Sequence, residues 1–299
     1  MCFNRSMSLA DLRTLITKYA ERPADGLDGM LLSMVRKPTP PTASSSYPVL
    51  ALVAQGSKRL MVGDRVYDYG AGQYLVVSVD LPITGHFTEA SVQRPFLGFG
   101  LRLRPAAIAS LLLEAGLETG HLGDAGRRPQ TPAGIAVSDA TDELIDAVIR
   151  RIRLLDSPAD RPVLAPMVEK EILWRLITGE QGAMVRQIGL ADSRLSHVSR
   201  AIRWIREHHA EVIRIDELAR LSTMSVSALH RHFRAVTAMT PIQYQKRIRL
   251  QEARLLLMSS PLDVASVGLS VGYDSASQFS REYRRQFGVP PGQDPARLR

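Results

Sequence analysis

The sequence predicts an α+β protein: a β-rich body that ends in helices, followed by an all-α domain of two helix-turn-helix units joined by a spacer helix. Three observations predict it. Between Gly26 and Leu103, short apolar runs rich in β-branched residues alternate with turn residues. From Pro105 onward the apolar spacing becomes helical. The last third writes one Arg-studded sentence twice, "SVSALHRHFRAVTAMTPIQY" from Ser225 and "SASQFSREYRRQFGVPPGQ" from Ser275.

In the β-rich body the runs are "MLLSMVRK", "VLALVA", "YLVVSV" and "RPFLGFGLRL", punctuated by Gln55-Gly56-Ser57 and Tyr69-Gly70-Ala71-Gly72. Several short strands at this spacing fit an antiparallel sandwich or barrel. Then "PAAIASLLLEAG" ends at Gly116, "DATDELIDAVIRRIRLL" sets Leu144, Val148, Ile152 and Leu155 on one face, and "PVLAPMVEKEILWRLI" runs to Gly179. The expected organisation is a first domain over 1–180, a linker over 181–192 whose spacing also allows helix, and a second domain over 193–299. Within it, the two helix-turn-helix units cover about 215–236 and 263–287.

Composition narrows the chemistry. At 299 residues the chain can bury two cores, and 45% hydrophobic with 23% charged residues is a globular balance. No run reaches the roughly 18 apolar residues of a membrane span, and "MCFNRSMSLADLRTLITKYAERP" reads as an amphipathic helix without a signal peptide's apolar core. A cytoplasmic, nucleoid-associated protein without a membrane partner is expected. Cys2 is the single cysteine, so no intrachain disulfide, thiolate zinc site or two-cysteine switch can form.

The net charge of +8 is unevenly placed. Residues up to Asp192 carry 21 basic and 21 acidic side chains, whereas those after it carry 17 and 9. Sixteen of those 17 cations are Arg, which suits bidentate contact with phosphates and base edges; a solvated basic face is the alternative.

The repeat is regular. Leu229, Arg231, Phe233, Arg234 and Pro241 recur fifty residues later as Phe279, Arg281, Tyr283, Arg284 and Pro291, while "LARLSTMS" matches "VGLSVGYD" at an offset of forty-nine. Leu218, Leu221, Leu229 and Phe233 are the expected core of the first unit, and Val267, Val271, Phe279 and Tyr283 that of the second. What remains faces outward. Small or hydrogen-bonding residues early in each second helix can reach base edges, and later cations can clasp phosphate. The candidate phosphate contacts are Arg234, Arg284 and Arg285. Between the units, Ile242 to Met258 reads as a spacer helix about 25 Å long, and Ser260-Pro261-Leu262-Asp263 as the start of the next helix. Two such readers in one chain fit an asymmetric duplex site spanning neighbouring grooves.

These motifs identify a resemblance. "LARLSTMS", "LHRHFRAVTAMTPIQYQKRIRLQEARLLL" and "VGYDSASQFSREYRRQFGVPP" resemble the DNA-binding domain of the AraC family of bacterial transcription regulators, over about 105 residues. The resemblance implies base contacts from Ser227, His230 and Arg231 and from Ser277, Gln278, Ser280 and Arg281. Gly268 departs from it, standing where the family usually has Ala. "PVLALVAQGSKRLMVGDRVYDYGAGQYLVVSVDLPITG" and "EKEILWRLITGEQGAMVRQI" resemble the AraC-type N-terminal domain. That likeness implies a cupin-like β-barrel that binds a small-molecule effector of unnamed identity, with helices that help form a homodimer. Double-stranded promoter DNA and RNA polymerase are the further partners implied, with activation the expected mode.

Two rival readings demand residues of their own. A metal-dependent cupin enzyme fused to a DNA-binding module needs clustered histidines, yet only His86, placed in a loop or pocket, lies in the barrel region and His121 follows the first helix. A DNA-repair protein needs a nucleophilic Cys in a metal-ligand setting, which Cys2 alone does not supply. No metal, cofactor or catalytic residue is expected. Asp68, Tyr69, Tyr74 and His86 are left without an effector role.

Overall fold

β-branched runs that lie next to helices can be apolar on both faces, and two of the predicted strands are built this way. The computed structural model describes residues 8–21, 29–116, 134–190, 193–259 and 263–294. Cys2, His121, Asp192 and Ser260 to Leu262 lie outside them. Nine described strands form two antiparallel sheets. One contains β1 (Met30–Val35), β3 (Val49–Gln55), β6 (Gln73–Val77), β8 (Phe96–Arg102) and β9 (Ile135–Asp139) in the order β1-β8-β3-β6-β9. The other contains β2 (Thr42–Ser46), β4 (Ser57–Val62), β5 (Arg65–Gly70) and β7 (Leu81–Glu89) in the order β2-β7-β4-β5. Gly56, at φ +79°, sits between β3 and β4, where the chain crosses from one sheet to the other; a Cβ there would lie 2.3 Å from the Glu89 carbonyl.

The outer face of the five-stranded sheet is covered by α1 (Leu9–Tyr19), which buries Leu12, Ile16 and Tyr19, and α1 in turn packs on α3 (Asp142–Arg153). This cover explains the unbroken apolar runs of β3 and β8. The four-stranded sheet keeps one wet face: along β4, Leu60 and Val62 are buried and Arg59 is exposed. α2 (Pro105–Glu114), α4 (Arg161–Thr178) and α5 (Gly182–Gly189) complete the body. Thr141 starts α3 by accepting from the Leu144 amide at 3.3 Å, and Leu144, Val148 and Ile152 are buried as the spacing requires.

The structure departs from the sequence reading in particular places. β9 interrupts the helical half and pairs with β6, from Gln73↔Asp139 to Val77↔Ile135. His86 is on a strand, opposite Arg59 in register. Within the expected linker the alternative that its spacing allowed is the one formed: residues 182–189 are α5.

The C-terminal part is wholly helical: α6 (Arg194–Glu207), α7 (Ile215–Leu221), α8 (Val226–Thr237), α9 (Pro241–Ser259), α10 (Val264–Ser270) and α11 (Ala276–Phe287). α6 to α8 join the N-terminal body in one continuous hydrophobic cluster that runs to Ile248 of α9. Further along α9, Leu250 and Ala253 belong to a second, smaller cluster with Val267, Val271, Tyr273, Phe279 and Tyr283. Polar contacts cross to the body from both halves of α9, Gln251 of the far half donating to the Ser44 carbonyl at 2.8 Å. Arg65 Nη1 donates to the Ala235 carbonyl at 3.3 Å, the Gly134 amide to Val236 at 2.9 Å and the Tyr244 hydroxyl to Asp80 at 2.9 Å. The first helix-turn-helix is thus welded to the body, and the second is carried by the far half of α9.

Inside the two units the expected cores hold with one correction. Leu221 is 44% exposed, and Ser222, fully buried, takes the place that Val271 holds in the second copy. Ser222 satisfies its hydroxyl by donating to the Leu218 carbonyl at 2.7 Å. Gly268 has a packing reason too. A Cβ there would lie 2.9 Å from Cδ1 of Phe279, whereas the first copy pairs Ala219 with the smaller Leu229. Alanine gains about 1 kcal/mol of helix propensity over glycine, but overpacking costs about 1–3 kcal/mol. Gly268→Ala is therefore expected to lower stability by about 1 kcal/mol in denaturant melts. Adding Phe279→Leu, which copies the first unit's pair, should recover much of the loss.

Candidate nucleic-acid interface

Each unit is built by the same local chemistry. After α7, the chain turns at Thr223 with φ +54°, its amide donating to Arg220 at 2.9 Å and the Met224 amide to Ala219 at 2.9 Å. After α10, Gly272 turns at φ +90° with the matching bonds, from its amide to Leu269 at 2.9 Å and from Tyr273 to Gly268 at 3.0 Å. Ser225 then caps α8 by accepting from the Ala228 amide at 3.3 Å, and Ser275 caps α11 by accepting from the Gln278 amide at 3.3 Å. The second turn is one residue longer, which accounts for the change of offset. The left-handed positions coincide across the copies.

The candidate base-reading residues fall on the outward sides of α8 and α11. Ser227, His230 and Arg231 are exposed on α8; Ser277 and Arg281 are exposed on α11, and Ser280 is half-buried. Gln278 is half-buried and donates to Glu282 Oε1 at 3.2 Å. It shares that carboxylate with Lys246 Nζ at 2.8 Å and the Tyr273 hydroxyl at 3.0 Å. The phosphate candidates Arg234, Arg284 and Arg285 are all exposed, and Arg234 and Arg285 also border a cleft lined by Gly63 and Asp64 of the β4–β5 turn.

α9 sets the spacing. Its 19 residues make a rod of about 28 Å, close to one DNA turn of roughly 34 Å. Arg249, halfway along, donates to the carbonyls of His209 (2.6 Å), Ala210 (3.2 Å) and Glu211 (2.9 Å) after α6, and to Gly272 (2.6 Å) in the second turn. Gln245 adds bonds to His209 and Glu211 at 2.9 and 2.6 Å. The last described residue is pinned as well: Asp294, 3% exposed, accepts from Arg254 Nε and the Tyr283 hydroxyl at 2.7 Å each. Charge counting did not distinguish Arg249 and Arg254 from surface cations.

Sequence reading also missed the network behind the first turn. His197 Nδ1 lies 2.9 Å from the Ser222 carbonyl and 2.6 Å from Thr223 Oγ1, and Arg200 Nη2 donates to Thr223 Oγ1 at 2.8 Å. Elsewhere, Asp68 forms a bidentate pair with Arg59, at 2.6 and 2.8 Å, on the wet face of the sheet. Tyr69 and Tyr74 are buried, and burial pushes both hydroxyls up. Among the described residues no group of three or more His, Cys, Asp or Glu could hold a metal. No described helix is long and apolar enough to cross a membrane.

Comparison with known proteins decides the family. The AraC-type transcriptional regulator N-terminus matches residues 26–184, and a helix-turn-helix domain matches 218–296. The chain belongs to the AraC family of transcription regulators. The enzyme reading is thereby set aside, since this is a family of regulators. The chain is 28% identical over 162 residues to the transcriptional activator RhaS of Escherichia fergusonii, 54% of this chain and 56% of that one. Over 105 residues it is 34% identical to the transcriptional regulator MtrA of Neisseria gonorrhoeae, 35% of this chain and 34% of that one. The chain spans about half the length of the RhaS relatives it matches. In structure it is similar to ToxT from Vibrio cholerae O395, with a TM-score of 0.54 at 10% identity over 90% of this chain and 97% of that one. That similarity shows a shared α+β fold, a sheet body followed by a helical helix-turn-helix domain.

The Glu282 network yields a pH dependence. Burial pushes the carboxyl up, but the bonds from Lys246, Gln278 and Tyr273 outweigh it and hold Glu282 below the ordinary glutamate value. A carboxyl depressed in the fold contributes stability above its unfolded value, about 4.3, and loses it as pH falls through the folded value. The stability advantage of the natural protein over Glu282→Gln is expected to shrink below about pH 4. Thermal midpoints of both between pH 3 and 7 check this.

Proposed function

We propose that the chain binds an asymmetric site in promoter DNA through both helix-turn-helix units of one molecule, under the control of a small molecule bound by the N-terminal domain. The observation that carries the reading is the repeat itself. Two equally capped helices, α8 and α11, pack along one rod, α9, fixed by Arg249, with exposed Arg231 and Arg281 in matching places. Ser227, His230, Ser277 and Ser280 serve as the remaining base contacts, with Gln278 doing so from within its bond to Glu282. Arg234, Arg284 and Arg285 serve the phosphates. The domain division follows the charge: 193–299 reads DNA, and 1–180 senses and pairs two subunits, with residues 181–192 between them.

The continuous core between the body and the first unit supports effector control, because a change in the body reaches α6 to α8 through packed side chains. ToxT, of the same fold, has been solved with an unsaturated fatty acid bound; the reading adopts that kind of control and not that ligand. Activation is the mode that the RhaS relatives are named for, and RNA polymerase is the partner that an activator requires.

Gel shifts of the full chain on upstream promoter fragments test the proposal. Binding should weaken steeply with salt and differ among fragments. Arg231→Ala and Arg281→Ala should each cost about 1–3 kcal/mol and relax base preference in one half of the site. Arg284→Ala and Arg285→Ala should weaken every sequence alike and reduce the salt slope by about 1. Equal affinity for all fragments would leave a nonspecific binder and overturn the reading.

A further inference from the structure

We propose that the N-terminal body carries a second DNA surface, a track of arginines beside the first helix-turn-helix that receives the phosphate backbone of the duplex flanking the promoter site. This rests on the reading that the first unit binds promoter DNA, and it lengthens that contact. The body is neutral as a whole, with 21 basic and 21 acidic residues up to Asp192, but its charges are sorted in space. A groove runs along α6, walled by α2 and the β6–β7 connection with α5 at its base, and a smaller cleft adjoins it at the start of α4. The two share Arg102 and Arg104.

The lining is strongly cationic. Among the described residues it holds Arg102, Arg104, Arg151, Arg161, Arg200 and Arg203 against two acids, Asp80 and Glu169. Glu169 is already engaged by Arg104 at 2.7 Å. Arg102, Arg104 and Arg203 are exposed, where a long polyanion can reach them. Arg102 lies over the Tyr47 ring at 5.1 Å, a contact that orients the guanidinium and leaves its charge in place. The first turn of α2 borders the groove, and its cap residue is Arg104 with no acid following it, so the positive end of the helix dipole adds to the same field.

Position selects DNA among polyanions. Arg200, at the α6 edge of the groove, donates from Nη2 to Thr223 Oγ1 at 2.8 Å, and Thr223 is the left-handed residue two places before the cap of α8. The track therefore begins at the turn that delivers the reading helix, where a helix-turn-helix crosses the backbone. The first unit shares one hydrophobic cluster with the body, which holds the track and α8 in fixed relation. No residue of α9, α10 or α11 lines the groove or the cleft, so the track flanks the first unit and does not lie between the two. Duplex that continues past the first unit's groove meets these arginines with its phosphates, in a contact that carries no base preference.

Gel shifts of the full chain on duplexes of different length test the track. The promoter site is trimmed to the stretch protected in footprints, then extended by about one and a half DNA turns of unrelated sequence on one side or the other. The side of the first unit is the one where Arg231→Ala relaxes base preference. Extension on that side should tighten binding at least fivefold and steepen the salt slope by about 2, for two further neutralised phosphates. Extension on the other side should change affinity less than twofold. The double variant Arg102→Gln, Arg203→Gln should lose the one-sided gain and keep its affinity for the trimmed duplex within twofold. Arg153→Gln, exposed on α3 outside the groove and the cleft, should keep the gain, and thermal midpoints show that both variants fold. Equal gain from either extension, a gain that survives in the double variant, or a double variant weakened as much on the trimmed duplex as on the extended one overturns the track. Sequence preference among fragments is a separate readout: its absence sinks promoter recognition, whereas loss of the one-sided gain alone sinks the track.

Discussion

Arg249 donates to four carbonyl oxygens, three after α6 and one in the turn of the second unit, and the geometry of the C-terminal domain hangs on that single guanidinium. A helix end or a tight turn leaves carbonyls without partners, and each one withdrawn from water needs a donor. One side chain with a planar fork answers both ends at once. Lysine could not, because its ammonium is a compact point with no fixed fork. The cap of α6, the path from α6 to α7 and the placement of the second turn thus become one constraint, with α9 as the ruler. Gln245, one helical turn earlier on the same face, repeats the device for α6 alone.

Much of this fold could be read in the chain because it rests on local rules. Serine before each reading helix, apolar residues at i and i+4, and turn glycines between β-branched runs each have a short-range physical cause. The parts that could not be read are those decided at a distance. β9 is five residues, "IAVSD", with too little alternation to be told from a helix start until β6 supplies its partner. β2, "TASSS", is polar but for Ala43 and exists as a strand because β7 offers it an edge. Leu221 reads as core on hydrophobicity alone, yet the buried place belongs to Ser222, since a serine can return its hydroxyl to the preceding turn of the helix. Gly268 reads as a weakness until the ring of Phe279 is beside it.

The same line divides the functional surface. Exposed arginines on the reading helices follow from helical phase, so Arg231, Arg281 and Arg284 fall where periodicity puts them. Their neighbours do not all follow. Gln278 shares a carboxylate with Lys246 and Tyr273, side chains thirty-two and five positions away, and no pattern in the sequence joins the three. The groove along α6 is harder still. It is assembled from residues near 48, 80, 105, 188 and 200, none of which the sequence marks as part of a site. Sites of this kind come from packing, and only the packed chain displays them.

The unequal cores of the two units have a kinetic consequence. The first unit shares its hydrophobic cluster with the whole N-terminal body, whereas the second rests on seven buried residues and the far half of one helix. Local opening follows the amount of apolar surface that must be exposed, so the second unit is the natural place for the molecule to loosen first. On a long polymer of similar sites this amounts to a firm hand and a loose one. The firm hand fixes the molecule at one groove while the loose one samples the next, lets go where the fit is poor, and closes where it is good. How long the protein dwells on a site would then be set by the weaker core, and how it arrives there by the stronger.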